Sequence, residues 1–389
     1  MATIFNYLQQ HKNTSFSELP LNELDVLSLN EIGYLNFDEW LTDDFDFTKE
    51  VTLYHLWEDY QKKHEGQELA YNFLFTKERI DIFRLMLSGK RFADLRLEAY
   101  INEINTEFEK QFSAMVFKLP HIHYRQLVFR GTDDSLIGWK EDFKLTYMRE
   151  IPAHRSAVVY LTKALAALPG PITVSGHSKG GNLAVYASTY IKADLQQKIS
   201  AIYMFDAPGL HSSVLQSQGY QAIRSKIRLI QPQEAIVGVM LDMDVEAAVI
   251  ASSSFGIGQH KVTNWQVDTA NNLLLPAAEG LTDLSLNLGK TFKKWTNELS
   301  NQELKILFDT LFDTVMTSGI ISLNDLSFNT ASGRKLVNAV ATFHSIDSRK
   351  KTLLLKSARL FFLAFAGYTR QAVWERPRLP LPDFLNRND

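Results

Sequence analysis

The amino-acid sequence predicts an α/β fold in which a mostly parallel sheet is covered by helices, with helical segments at both ends of the chain. The first observation is that short apolar runs alternate with helical patterns between residues 91 and 270, as in parallel sheets with helical crossovers. The second is that residues 1–90 and 271–389 carry mainly helical spacing. The third is composition: 45% of the 389 residues are hydrophobic and 22% are charged, which is ordinary for a globular chain.

The N-terminal segment is predicted to be a helical wrap around the sheet. Leu24, Leu27 and Ile32 recur near helical spacing, and a second pattern begins at Thr76 and ends at Gly89. We expect this segment to have a structural role.

The core between residues 91 and 270 is predicted to alternate between strands and helices. The predicted strands are 97–105, 111–119, 124–132, 171–176, 199–209 and 225–233, and the helical stretches between them are 153–170, 180–193 and 212–225. In the C-terminal segment, one helix begins at Ser300, with Glu303 at capping-box spacing, and another at Asp347; the Pro-rich tail 374–389 is predicted to be extended.

Composition excludes several classes of function. There is no cysteine, which removes disulfides, cysteine nucleophiles and thiolate zinc sites. The net charge of −3 and the lack of a long basic block argue against a nucleic-acid partner, while a peripheral membrane contact stays open.

The N-terminus has no basic region followed by an apolar run, so the expected location is cytoplasmic. No metal or cofactor is implied, since His121–His123 lacks further ligands at metal-binding spacing.

The stretch "VSGHSKGGN" (174–182) predicts a serine nucleophile on a sharp turn. Gly176 and Gly180 flank Ser178, with His177 between, in the G-x-S-x-G order that needs small residues on both sides of the serine. A predicted strand precedes the turn and a predicted helix follows it. The backbone N–H of Lys179 is then a candidate donor to an oxyanion.

A second pattern, "FRGTDDSLIGWKED" (129–142), predicts the other half of an oxyanion hole. A strand ends in Phe-Arg-Gly-Thr, and Trp139 and Asp142 follow at W-x-x-D spacing. Thr132 offers a backbone N–H and a hydroxyl, and Asp142 is placed to brace the loop. A capped turn would explain the same two residues structurally.

The base and the acid should follow the serine in the order acid, then histidine. Of the later histidines, His260 lies in a glycine-flanked loop after the last predicted strand, whereas His211 and His344 fit helix-boundary positions better. Two carboxylates are candidates for orienting His260: Glu234, after the strand 225–233, and Asp206, after the preceding strand.

The motifs together resemble the class 3 (fungal-type) lipase pattern, and most of the chain resembles an uncharacterised bacterial family of lipase-like α/β hydrolases. The resemblance rests on "FRGTDDSLIGWKED", "VSGHSKGGNLAVYAS" and "FDAPG", and on the later "AIVGVML" and "GIGQHKVTNWQVD". It implies an α/β-hydrolase fold, and it places the family's catalytic histidine at His260. It also implies an acid near residue 234, which makes Glu234 the preferred candidate although it is offset by one residue and replaces Asp.

The motifs predict hydrolysis of a carboxylic ester or lipid through an acyl-enzyme on Ser178. Two alternatives stay open: a weakly active or inactive relative that binds a lipid or a protein, and a thioesterase or peptidase. Lys179 departs from the lipase pattern, where Leu is usual. It would either meet an anionic substrate or pair with a nearby carboxylate.

Overall fold

The computed structural model describes residues 1–38, 46–47, 49–63, 76–133, 135–320, 342 and 346–375. Its centre is an eight-stranded sheet in which the strands lie side by side in chain order. The strands are β1 (Glu50–Thr52), β2 (Arg96–Asn105), β3 (Lys110–Leu119), β4 (Tyr124–Phe129), β5 (Ile172–His177), β6 (Ile199–Phe205), β7 (Ile227–Pro232) and β8 (Ala247–Ile250). A separate antiparallel pair joins β9 (Val267–Asp268) and β10 (Leu273–Leu274).

The sheet changes direction at β4. Strands β1 to β4 are antiparallel, and β4 to β8 are parallel. Short connections suffice for antiparallel neighbours, whereas parallel neighbours need crossovers, and the helical patterns of the sequence fall between the parallel strands. The sequence did not predict β1 or β8, because each is short and carries little apolar alternation.

Thirteen α-helices are found in the described ranges. They are α1 (Ile4–His11), α2 (Glu23–Ile32), α3 (Leu53–Lys63), α4 (Thr76–Leu87), α5 (Leu136–Lys144), α6 (Pro152–Ala167), α7 (Lys179–Tyr190), α8 (Ala193–Gln197), α9 (Ser212–Leu215), α10 (Gln218–Ile223), α11 (Asp283–Asn297), α12 (Asn301–Thr317) and α13 (Ser348–Glu375).

Helices cover both faces of the sheet. Side chains of α6, α7 and α10 form one buried cluster with alternate residues of the strands, such as Val116, Leu127 and Val174. The opposite face, including Phe117 and Val128, packs against α1, α2 and α4. Because successive strand residues point to opposite faces, both clusters draw on the same strands.

The terminal segments pack against the core. Strand β1 lies before residue 90, the predicted end of the N-terminal segment, and it pairs with β2, which lies after it. The N-terminal segment therefore supplies a strand as well as helices. Helices α12 and α13 share a third cluster with α5, the helix that follows β4. The division into units at residues 90 and 270 stays a prediction.

This arrangement is an α/β-hydrolase fold, which confirms the predicted fold class. No helix within the described ranges has the length and apolar character needed to cross a bilayer. The Pro-rich tail from residue 376 onward and His344 lie outside the described residues.

Candidate active site

Ser178 stands on a strained turn between β5 and α7. Its φ is +56° and its ψ is −135°, values that a residue with a side chain rarely adopts. A Cβ at position 176 would lie 2.0 Å from the carbonyl carbon of Gly180, and one at position 180 would lie 2.1 Å from the Phe129 oxygen. The turn therefore closes only with glycine on both sides of Ser178, and it leaves the serine side chain partly exposed beside the N-terminus of α7.

The loop after β4 passes directly beside this turn. A Cβ at Gly131 would lie 3.3 Å from the Cβ of Ser178. Within the described part of the chain, the backbone N–H groups of Lys179 and Thr132 have no hydrogen-bond acceptor. Two free donors thus flank the serine, one at the start of α7 and one in the loop, where the sequence predicted an oxyanion hole.

Asp142 holds the loop. The hydroxyl of Thr132 donates to Asp142 Oδ2 at 2.5 Å, so the W-x-x-D residue braces Thr132 from α5. Burial raises the pKa of Asp142 to about 6, although the Lys179 ammonium and the Thr132 hydroxyl both favour its ionised form.

The Lys179 side chain is fully buried in an ion pair. Its Nζ donates to Glu141 Oε2 at 3.0 Å and to the backbone and side-chain oxygens of Gln111 at 3.1 and 2.9 Å, and it lies 3.4 Å from Asp142 Oδ1. The other oxygen of Glu141 accepts the N–H of Ala153 at the start of α6. Of the two interpretations of Lys179, the structure therefore shows the pairing with local carboxylates.

His260 is placed by the carboxylate of Asp206. His260 lies at the end of a 3-10 turn, Gly256–His260, and its Nδ1 donates to Asp206 Oδ2 at 2.6 Å. Asp206 is fully buried just past the end of β6, with φ of +38°, and its other oxygen accepts the N–H of Gly238 at 3.0 Å. Because a proton on Nδ1 leaves Nε2 unprotonated, this contact gives His260 the tautomer that a general base needs.

Glu234, the preferred acid in the sequence analysis, does not contact the His260 ring. Its Oε2 accepts the backbone N–H of Gly256 at 2.6 Å, and its own N–H donates to Gln259 Oε1. Glu234 thus shapes the turn that carries His260. The carboxylate that contacts the imidazole belongs to Asp206, the second candidate, whereas Glu234 bonds to the backbone of Gly256 and to the side chain of Gln259.

His177 contacts the His260 ring and bonds to its backbone. The ring centres of the two histidines are 4.4 Å apart, and His177 Nε2 donates to the backbone oxygen of His260 at 2.9 Å. Since Nε2 carries the proton, Nδ1 of His177 must accept, and the hydroxyl of Tyr34 donates to it at 2.9 Å. Burial and the neighbouring His260 hold the pKa of His177 well below its usual value, so His177 stays neutral.

A small apolar cavity of about 60 Å³ opens beside Ser178. One wall comes from α5 and the residues after it, and the other from the loop after β7; the lining includes Trp139, Phe143, Leu145, Val237, Met240 and Leu241. Within the described residues, no cluster of three or more His, Asp or Glu side chains is arranged to hold a metal ion.

The sequence model of the Mbeg1-like family matches residues 86–313, a span of more than half the chain that includes Ser178, Asp206 and His260. The chain belongs to the Mbeg1-like family. This family is lipase-like, which supports a hydrolase-type function. No curated protein matches the chain. The crystal structure of M37 lipase is similar over 43% of this chain and 64% of that lipase, with 18% identity and a TM-score of 0.31.

Several finer expectations for this Mbeg1-like chain stay predictions. They are the likeness to class 3 lipases, the bacterial origin, the cytoplasmic location, and the lack of a nucleic-acid partner.

Sequence reasoning also missed residues that the site uses. Glu141 directly precedes Asp142 in "KED" and could have been found as the partner of Lys179, whereas nothing in the sequence linked Tyr34 or Gly238 to the site.

Proposed function

We propose that this protein is a serine hydrolase that cleaves carboxylic esters through an acyl-enzyme on Ser178. The observation that carries the proposal is the combination of the strained Ser178 turn with the His260 Nδ1–Asp206 Oδ2 contact of 2.6 Å. The three residues follow one another along the chain as serine (Ser178), acid (Asp206) and histidine (His260), which is the order found in α/β hydrolases.

In the first half of the reaction, Nε2 of His260 takes the proton of the Ser178 hydroxyl as the oxygen attacks the ester carbonyl. Asp206 stabilises the charged imidazolium. The backbone N–H groups of Lys179 and Thr132 stabilise the negative oxygen of the tetrahedral intermediate. His260 then gives its proton to the departing alkoxide, the ester C–O bond breaks, and the acyl group remains on Ser178.

In the second half, His260 removes a proton from a water molecule that attacks the acyl-enzyme. The tetrahedral intermediate forms again at the same two donors, Ser178 takes its proton back from His260, and the carboxylic acid leaves. These steps need no group beyond the residues of the chain and water.

The proposal is tested by burst kinetics with p-nitrophenyl butyrate on the wild-type protein and on Ser178→Ala. We expect a p-nitrophenol burst that approaches one equivalent per chain, followed by slower turnover, because p-nitrophenolate is a good leaving group and acylation should be faster than hydrolysis of the acyl-enzyme. Ser178→Ala should lose both phases. Equal rates for the two proteins would rule out an acyl-enzyme on Ser178.

A further inference from the structure

We infer that the site takes esters of short acyl groups, from acetyl to butyryl, and excludes long-chain lipids. This inference rests on the proposed function and names the substrate class for it. The observation behind it is the apolar cavity beside Ser178, which would shield from water an acyl group bound to that serine.

The size of the cavity sets the length of the chain. An engineered apolar cavity of about 150 Å³ accommodates benzene, which corresponds to roughly 25 Å³ for each carbon. At about 60 Å³, the cavity beside Ser178 has room for two to three carbons beyond the carbonyl. Its lining is mostly apolar, so it suits an unsubstituted alkyl chain better than a charged or hydroxylated one.

The α5 wall is fixed from behind by the C-terminal segment. The ring of Phe143 lies 4.7 Å from that of Phe308 in α12, centre to centre, and 5.6 Å from that of Phe312. Lys140, on the same helix, pairs with Asp313 at 2.7 Å. The wall therefore has a packed layer behind it and little freedom to withdraw for a longer chain.

The opposite wall, in the loop after β7, is held at several points. The Met240 oxygen accepts the N–H of Gly209, and the Asp242 oxygen accepts that of Leu210, both at 2.8 Å. On the outer side, Ser285 of α11 donates from its hydroxyl to the Ala235 oxygen at 2.6 Å. Both walls are thus tied to other elements, and the volume between them limits the acyl group.

The test is a series of p-nitrophenyl esters from acetate to decanoate, measured as kcat/KM on the full chain. We expect the maximum between acetate and butyrate, with a loss of at least about tenfold at hexanoate, since a pocket discriminates roughly 10–200-fold for each methylene. Met240→Ala removes three heavy atoms from the lining, and it should raise the hexanoate-to-butyrate ratio about tenfold or more. Leu241→Ala makes the same test at a second lining position if Met240→Ala does not fold.

Val239→Ala is the matched control. Val239 lies on the same loop but outside the cavity lining, and it faces α11, where a Cβ at Gly289 would lie 3.3 Å from the Val239 Cβ. This variant should keep the wild-type chain-length profile. An equal shift in Val239→Ala and Met240→Ala would overturn the assignment of chain length to the cavity.

Labelling of each protein with a fluorophosphonate distinguishes a failure of the short-acyl inference from a failure of the proposed function. A wild-type enzyme that is labelled on Ser178 but prefers octanoate or longer esters would overturn the short-acyl inference and leave the proposed function standing. A folded protein that is not labelled would overturn the proposed function and the inference with it.

Discussion

The substitution Asp206→Asn discriminates most sharply between the two carboxylates that the sequence offered. In the wild-type site, Asp206 Oδ1 accepts the Gly238 N–H at 3.0 Å and Oδ2 accepts the His260 Nδ1–H at 2.6 Å. The side-chain amide that replaces the carboxylate can satisfy the Gly238 N–H only with its oxygen. Its NH₂ group then faces Nδ1 of His260 and donates to it, which moves the imidazole proton to Nε2.

The expected loss follows from this change of tautomer. An imidazole protonated on Nε2 cannot take the proton of Ser178, and the equivalent change in a serine protease lowers kcat by about 10⁴-fold. That factor corresponds to roughly 5.5 kcal/mol of transition-state stabilisation. KM should change little, because Asp206 is buried behind the histidine and does not line the cavity.

The assay is steady-state hydrolysis of p-nitrophenyl butyrate by Asp206→Asn and by the matched variant Glu234→Gln. Glu234→Gln keeps an oxygen that can accept the Gly256 N–H, so kcat should stay within about tenfold of wild type. A larger loss in Glu234→Gln than in Asp206→Asn would refute the assignment of the acid and return it to residue 234.

Three further predictions concern the supports of the site. In Gly238→Ala, the new methyl would lie 2.5 Å from Asp206 Oδ1, so the carboxylate must shift; kcat in the same ester assay should fall roughly 10²-fold with the fold intact by circular dichroism. Lys179→Met leaves Glu141 charged and buried without its ammonium, and urea titration should show a loss of about 3–5 kcal/mol, which adding Glu141→Gln should partly restore. For His154, burial lowers the pKa to about 4, so from pH 6.5 down to pH 4 the unfolded chain binds a proton that the folded chain does not. The unfolding free energy should therefore fall by about 3 kcal/mol over that range, and His154→Gln should show a smaller pH dependence; equal slopes would contradict this account.

The parts of the site that the sequence predicted are those set by local geometry. The Ser178 turn needs glycines two residues to either side, and this requirement is visible in the sequence as the G-x-S-x-G order. Thr132 and Asp142 belong to the same strand-loop-helix unit, so their spacing also carried information. The strands 97–105 and 111–119 were predicted within one residue of their bounds, Arg96–Asn105 and Lys110–Leu119.

The acid could not be chosen from the sequence, because its identity depends on how two loops meet. Asp206 and Glu234 both follow a parallel strand, and both therefore lie at the same edge of the sheet. Only the path of the chain from β8 to His260 decides which carboxylate reaches the imidazole. The contact of Tyr34 with His177 joins residues 143 positions apart and left no local pattern to find.

The central claim, that Ser178 is a nucleophile activated by His260, is tested most directly by reaction with a fluorophosphonate and mass mapping of the modified residue. We predict one adduct for each chain, located on Ser178, and strongly slowed labelling in His260→Ala, because the base no longer removes the serine proton. An unmodified protein, an adduct on another residue, or equal labelling rates with and without His260 would contradict the account.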